Sequence, residues 1–173
     1  MDQEATSDAQ PQARLASVEE AQALLQLMGG GVTLAALSGI TPRRLEAYYA
    51  LGYTCYRSGR YPDAERIFSF VLLQNHLDAR THKALGMTLQ MQRKHEQALK
   101  PYGAASLMDL TDPEPVVRMA ECLLALARLD EALGALDFAQ GMFRRRPDAR
   151  LSQRVDAIRE LITKPHTPAV AAA

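Results

Sequence analysis

Tyr49, Tyr53 and Tyr56 stand four and three residues apart, a spacing that puts three phenol rings on one face of a helix. Rings gathered in this way recognise rather than react. They offer large, rigid apolar area with a polar rim, and a good aromatic anchor is worth roughly 2 kcal/mol or more to a complex. Side chains able to do covalent or metal chemistry are not arranged for it. His76, His82, His95 and His166 are scattered, and none pairs with a nucleophile or carboxylate on a repeated face. Cys55 and Cys122 lie among apolar neighbours with no histidine at ligand spacing, so they read as packed thiols and not as a metal site. Gly29-Gly30-Gly31 lacks the Gly-Lys-Ser/Thr of a phosphate-cradling loop and reads as a flexible joint. Arg144-Arg145-Arg146 is the one tight basic run, placed where a helix end favours cations. A formal net charge of zero adds no general attraction to nucleic acid or anionic membrane. No catalytic residue, metal or cofactor is expected.

The elements that position the tyrosines follow from a period of 34 residues. Leu51-Gly52, Leu85-Gly86 and Met119-Ala120 repeat at that offset, as do Ala64, Ala98 and Ala132. The same offset relates Phe68, Tyr102 and Leu136, and also Tyr61, His95 and Leu129. A small residue, another small residue twelve later and a large apolar residue four beyond that recur three times. This is the pattern of the tetratricopeptide repeat, a helix-turn-helix unit that stacks into a superhelix. The expected fold is all-α, with three tandem repeats over about 45–78, 79–112 and 113–146 in a right-handed superhelix. Gly52, Tyr61, Ala64, Phe68, Gly86, Ala98, Tyr102, Ala120 and Ala132 are its structural positions, and Leu51, Gly52 and Cys55 form the packing stripe of the first helix.

The helix pairs are expected at Pro42–Ser58 with Pro62–Asn75, Ala79–Gln92 with Glu96–Met108, and Pro113–Ala127 with Glu131–Phe143. Thr41-Pro42 supplies a cap and a first-turn proline, and Asp78 and Asp112, themselves 34 apart, are further N-caps. Ser17-Val18-Glu19-Glu20 matches a capping box, opening an N-terminal helix with Val18, Ala21, Leu25 and Met28 on one face. That helix, with Leu24, is either a dimer element or folds back on the first repeat. Beyond Pro147, Leu151, Val155, Ile158 and Ile162 share one side of a capping helix, 148–163, that closes the last apolar face. The folded domain thus spans 17–163, and 1–16 and 164–173 read as disordered tails. Polar residues at the start and no long apolar run predict a soluble, cytoplasmic protein without direct membrane insertion.

In such a stack the first helices line the concave side. Positions equivalent to Tyr49, Tyr53 and Tyr56 are Lys83, Met87 and Gln90 in the second repeat and Val117, Glu121 and Leu124 in the third. A surface of this kind, with few charges, suits an extended apolar peptide. The tyrosines could instead pack against the N-terminal helix. Grooves that clamp acidic C-termini need several cations here, whereas only Lys83 is basic and Glu121 would repel such a ligand. Tyr48, Tyr61 and Tyr102 fall at packing positions.

Particular residues resemble a known family. Gly29-Gly30-Gly31 with Thr33-Leu34-Ala35 is followed by Leu45-Glu46, Tyr49-Ala50-Leu51-Gly52-Tyr53 and Tyr56. Ser58-Gly59-Arg60-Tyr61, Asp63-Ala64, Met108-Asp109, Pro113 and Ala120-Glu121-Cys122-Leu123-Leu124 complete the match over about Met28 to Ile162. The chain is similar in these to the class II chaperones of bacterial type III secretion, of the LcrH/SycD type. The resemblance implies a small cytoplasmic homodimer that binds hydrophobic translocator proteins and keeps them soluble, separate and secretion-competent. It implies that an extended N-terminal translocator segment, with spaced apolar or proline anchors, lies in the groove. Tyr49, Tyr56 and Tyr61 match tyrosines of the family's first repeat, and Tyr49 and Tyr56 are the expected ligand contacts. His82-Lys83 is more polar than the family pattern. A scaffold for other soluble partners shares the fold and groove, and co-activation of a transcription factor is a further role within the family.

Overall fold

The computed structural model describes residues 18–23, 25–27, 29–143 and 147–164. Leu24, Met28, the capping serine Ser17, the arginine run 144–146 and the expected tails 1–16 and 165–173 lie outside the described residues. Among those described, every regular element is helical. After a helical stretch over 18–23 and 25–27 come α1 (Leu34–Ser38), α2 (Pro42–Arg57), α3 (Tyr61–Gln74), α4 (Ala79–Met91), α5 (His95–Met108), α6 (Glu114–Ala125), α7 (Leu129–Phe143) and α8 (Ala149–Thr163). They pack as antiparallel neighbours, α2 on α3, α4 on α5 and α6 on α7, each pair resting on the next, with α8 across α6 and α7.

Local sequence sets the starts. Thr41 accepts the Arg44 N–H at 3.4 Å ahead of Pro42, and Asp78 accepts the Arg80 N–H at 3.1 Å. Asp112 accepts the Glu114 N–H at 3.0 Å, although the regular helix begins one residue later than expected, with Pro113 as the capping residue in helical backbone. Asp148 opens α8 through the Leu151 N–H at 2.9 Å.

The ends repeat with the same period. Gly59, Arg93 and Ala127 adopt left-handed φ of 73°, 60° and 58°. The following N–H in each case reaches back over the last turn, Arg60 to Cys55, Lys94 to Leu89 and Arg128 to Leu123, at 2.9, 3.0 and 2.9 Å. One glycine and two residues that tolerate this backbone poorly do the same work.

The core explains the small residues. Ala64, Ala98 and Ala132 are fully buried where the two helices of a pair cross. Gly52 lies against Phe68 and Gly86 against Tyr102, close enough that an added Cβ would meet the rings at 2.8 and 2.7 Å. In the third repeat the partner is Leu136 and the small residue is Ala120, both fully buried. Two expectations change. Leu51, placed in the packing stripe, is half exposed because the stripe runs through Gly52 and Cys55. Lys164, expected in the tail, is the C-cap of α8 and bonds Glu160 at 2.8 Å.

Candidate functional site

Tyr49, Tyr53 and Tyr56 project from α2 into one cavity of about 260 Å3. Ala84 and Met87 of α4 form its second wall and the fully buried Phe68 ring its floor. Tyr49 packs on Phe68 with ring centres 5.7 Å apart, Tyr56 meets Tyr61 at 5.7 Å, and Tyr53 stacks on Tyr56 at 6.2 Å. Tyr49 is held on Phe68 and Tyr56 on Tyr61, so a ligand orders few further side chains at these two rings. Burial pushes the Tyr49 and Tyr56 hydroxyls above the ordinary phenol range, Arg80 and Arg118 opposing it respectively. Both are therefore neutral and amphipathic at physiological pH.

The rim is more charged than the sequence reading allowed. Arg80 lies over the Tyr49 ring, 5.0 Å from its centre, and bonds Glu46 at 2.9 Å. Lys83 donates to Asp112 at 2.8 Å and to Glu114 at 3.2 Å. Burial disfavours the Lys83 ammonium, but the two carboxylates outweigh it and raise the pKa above the ordinary lysine value. Arg80 and Glu114 line the cavity and were missed as site residues. Their signal was available: Glu46, Arg80 and Glu114 are successive 34-residue equivalents of alternating sign.

The expected inner positions divide. Tyr49, Tyr53, Tyr56, Lys83 and Met87 converge on the cavity. Gln90 and Glu121 do not line it; Gln90 donates to Glu121 at 2.9 Å, accepts from the Tyr102 hydroxyl at 2.8 Å, and Glu121 also takes Arg154 of α8. Val117 must be corrected. It is fully buried, packed with Leu136 and Val155, because α8 covers that part of α6. Leu124 packs against the same cluster. The capping helix thus ends the open groove near α6. Tyr102 is fully buried and Tyr61 edges against Tyr56, whereas Tyr48 is partly exposed and edges against Phe70 at 5.1 Å. Among the described residues no group of histidine, cysteine or carboxylate side chains could hold a metal ion. No described helix is long and apolar enough to cross a membrane.

A stack of helix pairs whose inner helices present a preformed aromatic pocket defines a tetratricopeptide-type peptide-binding protein. No family model matches the chain. It is 33% identical over 141 residues to the low calcium response locus protein H of Yersinia pseudotuberculosis, covering 81% of this chain and 84% of that one. The type III secretion translocator chaperone SycD of Yersinia enterocolitica superposes with a TM-score of 0.69 at 33% identity, covering 75% of this chain and 98% of SycD, which is also known in an alternative dimer. PcrH from Pseudomonas aeruginosa gives 0.69 at 36% identity over 76% of this chain and 100% of that one. PcrH is also known in complex with the chaperone-binding region of PopD. The chain belongs to the LcrH/SycD family of type III secretion translocator chaperones.

Proposed function

We propose that this chain is a cytoplasmic chaperone that holds a hydrophobic translocator by seating an extended segment in the groove of α2, α4 and α6. The observation that carries this is the convergence of Tyr49, Tyr53, Tyr56 and Met87 on a single cavity over Phe68. Rings and thioether offer apolar contact, and the Lys83 and Arg80 rim supplies donors for an extended backbone that would otherwise lose its hydrogen bonds to water. A translocator must carry long apolar stretches, which aggregate when exposed. Covering one of them lowers the free aggregating form by mass action, and that requires neither nucleotide nor catalysis. Self-association into a homodimer, with the N-terminal helix as a contact, belongs to the same proposal.

The test is co-purification of the tagged protein from its own bacterium, beside Tyr49→Ala/Tyr56→Ala and Tyr53→Ala variants. Tyr53 is largely exposed, so its loss spares the core if the double variant proves unstable. A near-stoichiometric secreted protein with long apolar segments, lost from the variants while their helicity holds, supports the proposal. Recovery only of hydrophilic proteins, unchanged by the substitutions, would sink it in favour of a scaffold.

A further inference from the structure

α8 runs alongside α6 and shares its direction. Leu151 near its start lines a cavity with Lys83 and Glu114, Arg154 reaches Glu121, and Ile162 packs on the same cluster as Leu124. Its C-cap, Lys164, therefore stands level with the last turn of α6. Leu124 is the 34-residue equivalent of Gln90 and Tyr56. The chain thus leaves α8 at the height of Tyr56, on the row of inner helices that forms the groove.

Reach decides what the following residues can touch. Packed helices lie about 8–10 Å apart, and the aromatic cavity between α2 and α4 is two and a half spacings from α8, or roughly 20–25 Å. Pro165 to Ala173 follow the C-cap. Extended at roughly 3.3 Å per residue they span about 30 Å, and Val170 stands about 20 Å along.

Their chemistry is that of a groove ligand. Charged residues make up 23% of the chain, yet Pro165-His166-Thr167-Pro168-Ala169-Val170 and the alanines after it include no Asp, Glu, Lys or Arg. In the polyproline conformation residues three apart share one side, which brings Pro165 and Pro168 together. Segments of that kind dock in aromatic-lined grooves because they have little entropy left to lose. Tyr53, nearly half exposed, offers its ring face to a proline. The rim does not demand a charged ligand, since Lys83 is held by Asp112 and Glu114 and Arg80 by Glu46.

Resting on the reading that the groove seats an extended apolar segment, we infer that the chain's own segment Pro165–Ala173 occupies it when no client is bound. Tethering gives such a segment an effective concentration on the order of millimolar, so an affinity of about 1 mM fills roughly half of the grooves. A client with stronger anchors displaces it and loses only about twofold in apparent affinity. Weak apolar peptides meet the same competitor at every encounter, so the segment raises the threshold for entry.

The test places a photoreactive ring in the groove of the full chain, as Tyr53→p-benzoylphenylalanine, with circular dichroism to check the fold. Isotope-labelled and unlabelled chains are mixed at low concentration and irradiated, and the crosslinked peptides are identified by mass spectrometry. Position 53 should capture residues 165–173 of its own chain, and Pro168→Asp/Val170→Asp should cut the yield about tenfold by burying charge against rings. No capture of these residues, or a yield unchanged by the aspartates, overturns the inference. Crosslinks between differently labelled chains overturn it too, in favour of a second copy's segment. An added synthetic peptide with leucine and proline anchors separates the two readings. Its capture without any capture of 165–173 leaves the groove standing, whereas capture of neither sinks the groove reading as well.

Discussion

Gly52 sits directly beneath the Phe68 ring, and a methyl group at its Cα would lie 2.8 Å from the ring carbon. Phe68 is fully buried, so relieving the contact means displacing the ring that floors the aromatic cavity. Gly52→Ala should therefore cost about 2 kcal/mol in urea unfolding, the ordinary penalty for overpacking. In the third repeat the same site holds Ala120 under Leu136. Adding Phe68→Leu to Gly52→Ala should accordingly cost about 1 kcal/mol less than the sum of the single changes. Strict additivity would show that the contact does not set the residue pair.

Arg93 and Ala127 occupy the left-handed backbone that Gly59 occupies in the first repeat. Arg93→Gly and Ala127→Gly should each stabilise by about 0.5 kcal/mol, strain relief slightly exceeding the added freedom of the unfolded chain. Gly59→Ala should destabilise by about 1 kcal/mol. Midpoints of chemical unfolding at constant slope report all three.

Glu65 of α3 accepts from Lys94 and Gln92, each at 2.7 Å, tying the first pair to the second. Burial raises its pKa, but the hydrogen bonds from Lys94 and Gln92 outweigh that and hold the carboxyl below its ordinary value. A depressed carboxylate pKa stabilises above the unfolded value, and that gain is lost as pH falls through the folded one. Glu65→Gln should cost about 1 kcal/mol at neutral pH and progressively less as the pH falls through the depressed folded value. A gap that persists at the acid end would refute the assignment.

Cys122 is fully buried, and burial first, then Glu121, pushes its thiol up to about 11. Little thiolate forms at pH 8, and reagent has no path to it. Iodoacetamide at that pH should leave Cys122 unmodified in the folded chain and label it in urea, as mass spectrometry of the peptide would show. Rapid native labelling would mean that α6 opens readily.

Glu121 receives Gln90 from α4 and Arg154 from α8, so it joins α6 both to α4 and to the capping helix. Glu121→Ala strands those partners, and hydrogen exchange in α8 should accelerate about tenfold while α2 to α5 keep their protection. Uniform loss of protection would place the effect in the core.

The repeat period, helix pairs, caps and aromatic pocket were legible because they depend on neighbours in sequence or on exact recurrence. Gly52 and Phe68 announce each other at sixteen residues' distance, and Asp78 and Asp112 announce helix starts. The fate of Val117 was not legible. Its equivalents Tyr49 and Lys83 face the groove, and only the docking of α8, which lacks the 34-residue register, turns that position into core. The charged rim lay between these cases. Lys83 was visible, but its carboxylates come from a loop and the next helix, and the alternation of Glu46, Arg80 and Glu114 becomes informative only once α2, α4 and α6 are side by side.

Each helix pair packs only on its neighbours, so among the described residues the first and third pairs share no helix interface. Yet the aromatic cavity draws Tyr49 from one and Glu114 from the other. A bound segment therefore adds a link between these two pairs, working as a splint along the row. Occupancy should then be readable far from the groove, as one sharp melting transition in place of a broad one, and an unloaded chaperone would stand out to proteases by its looseness.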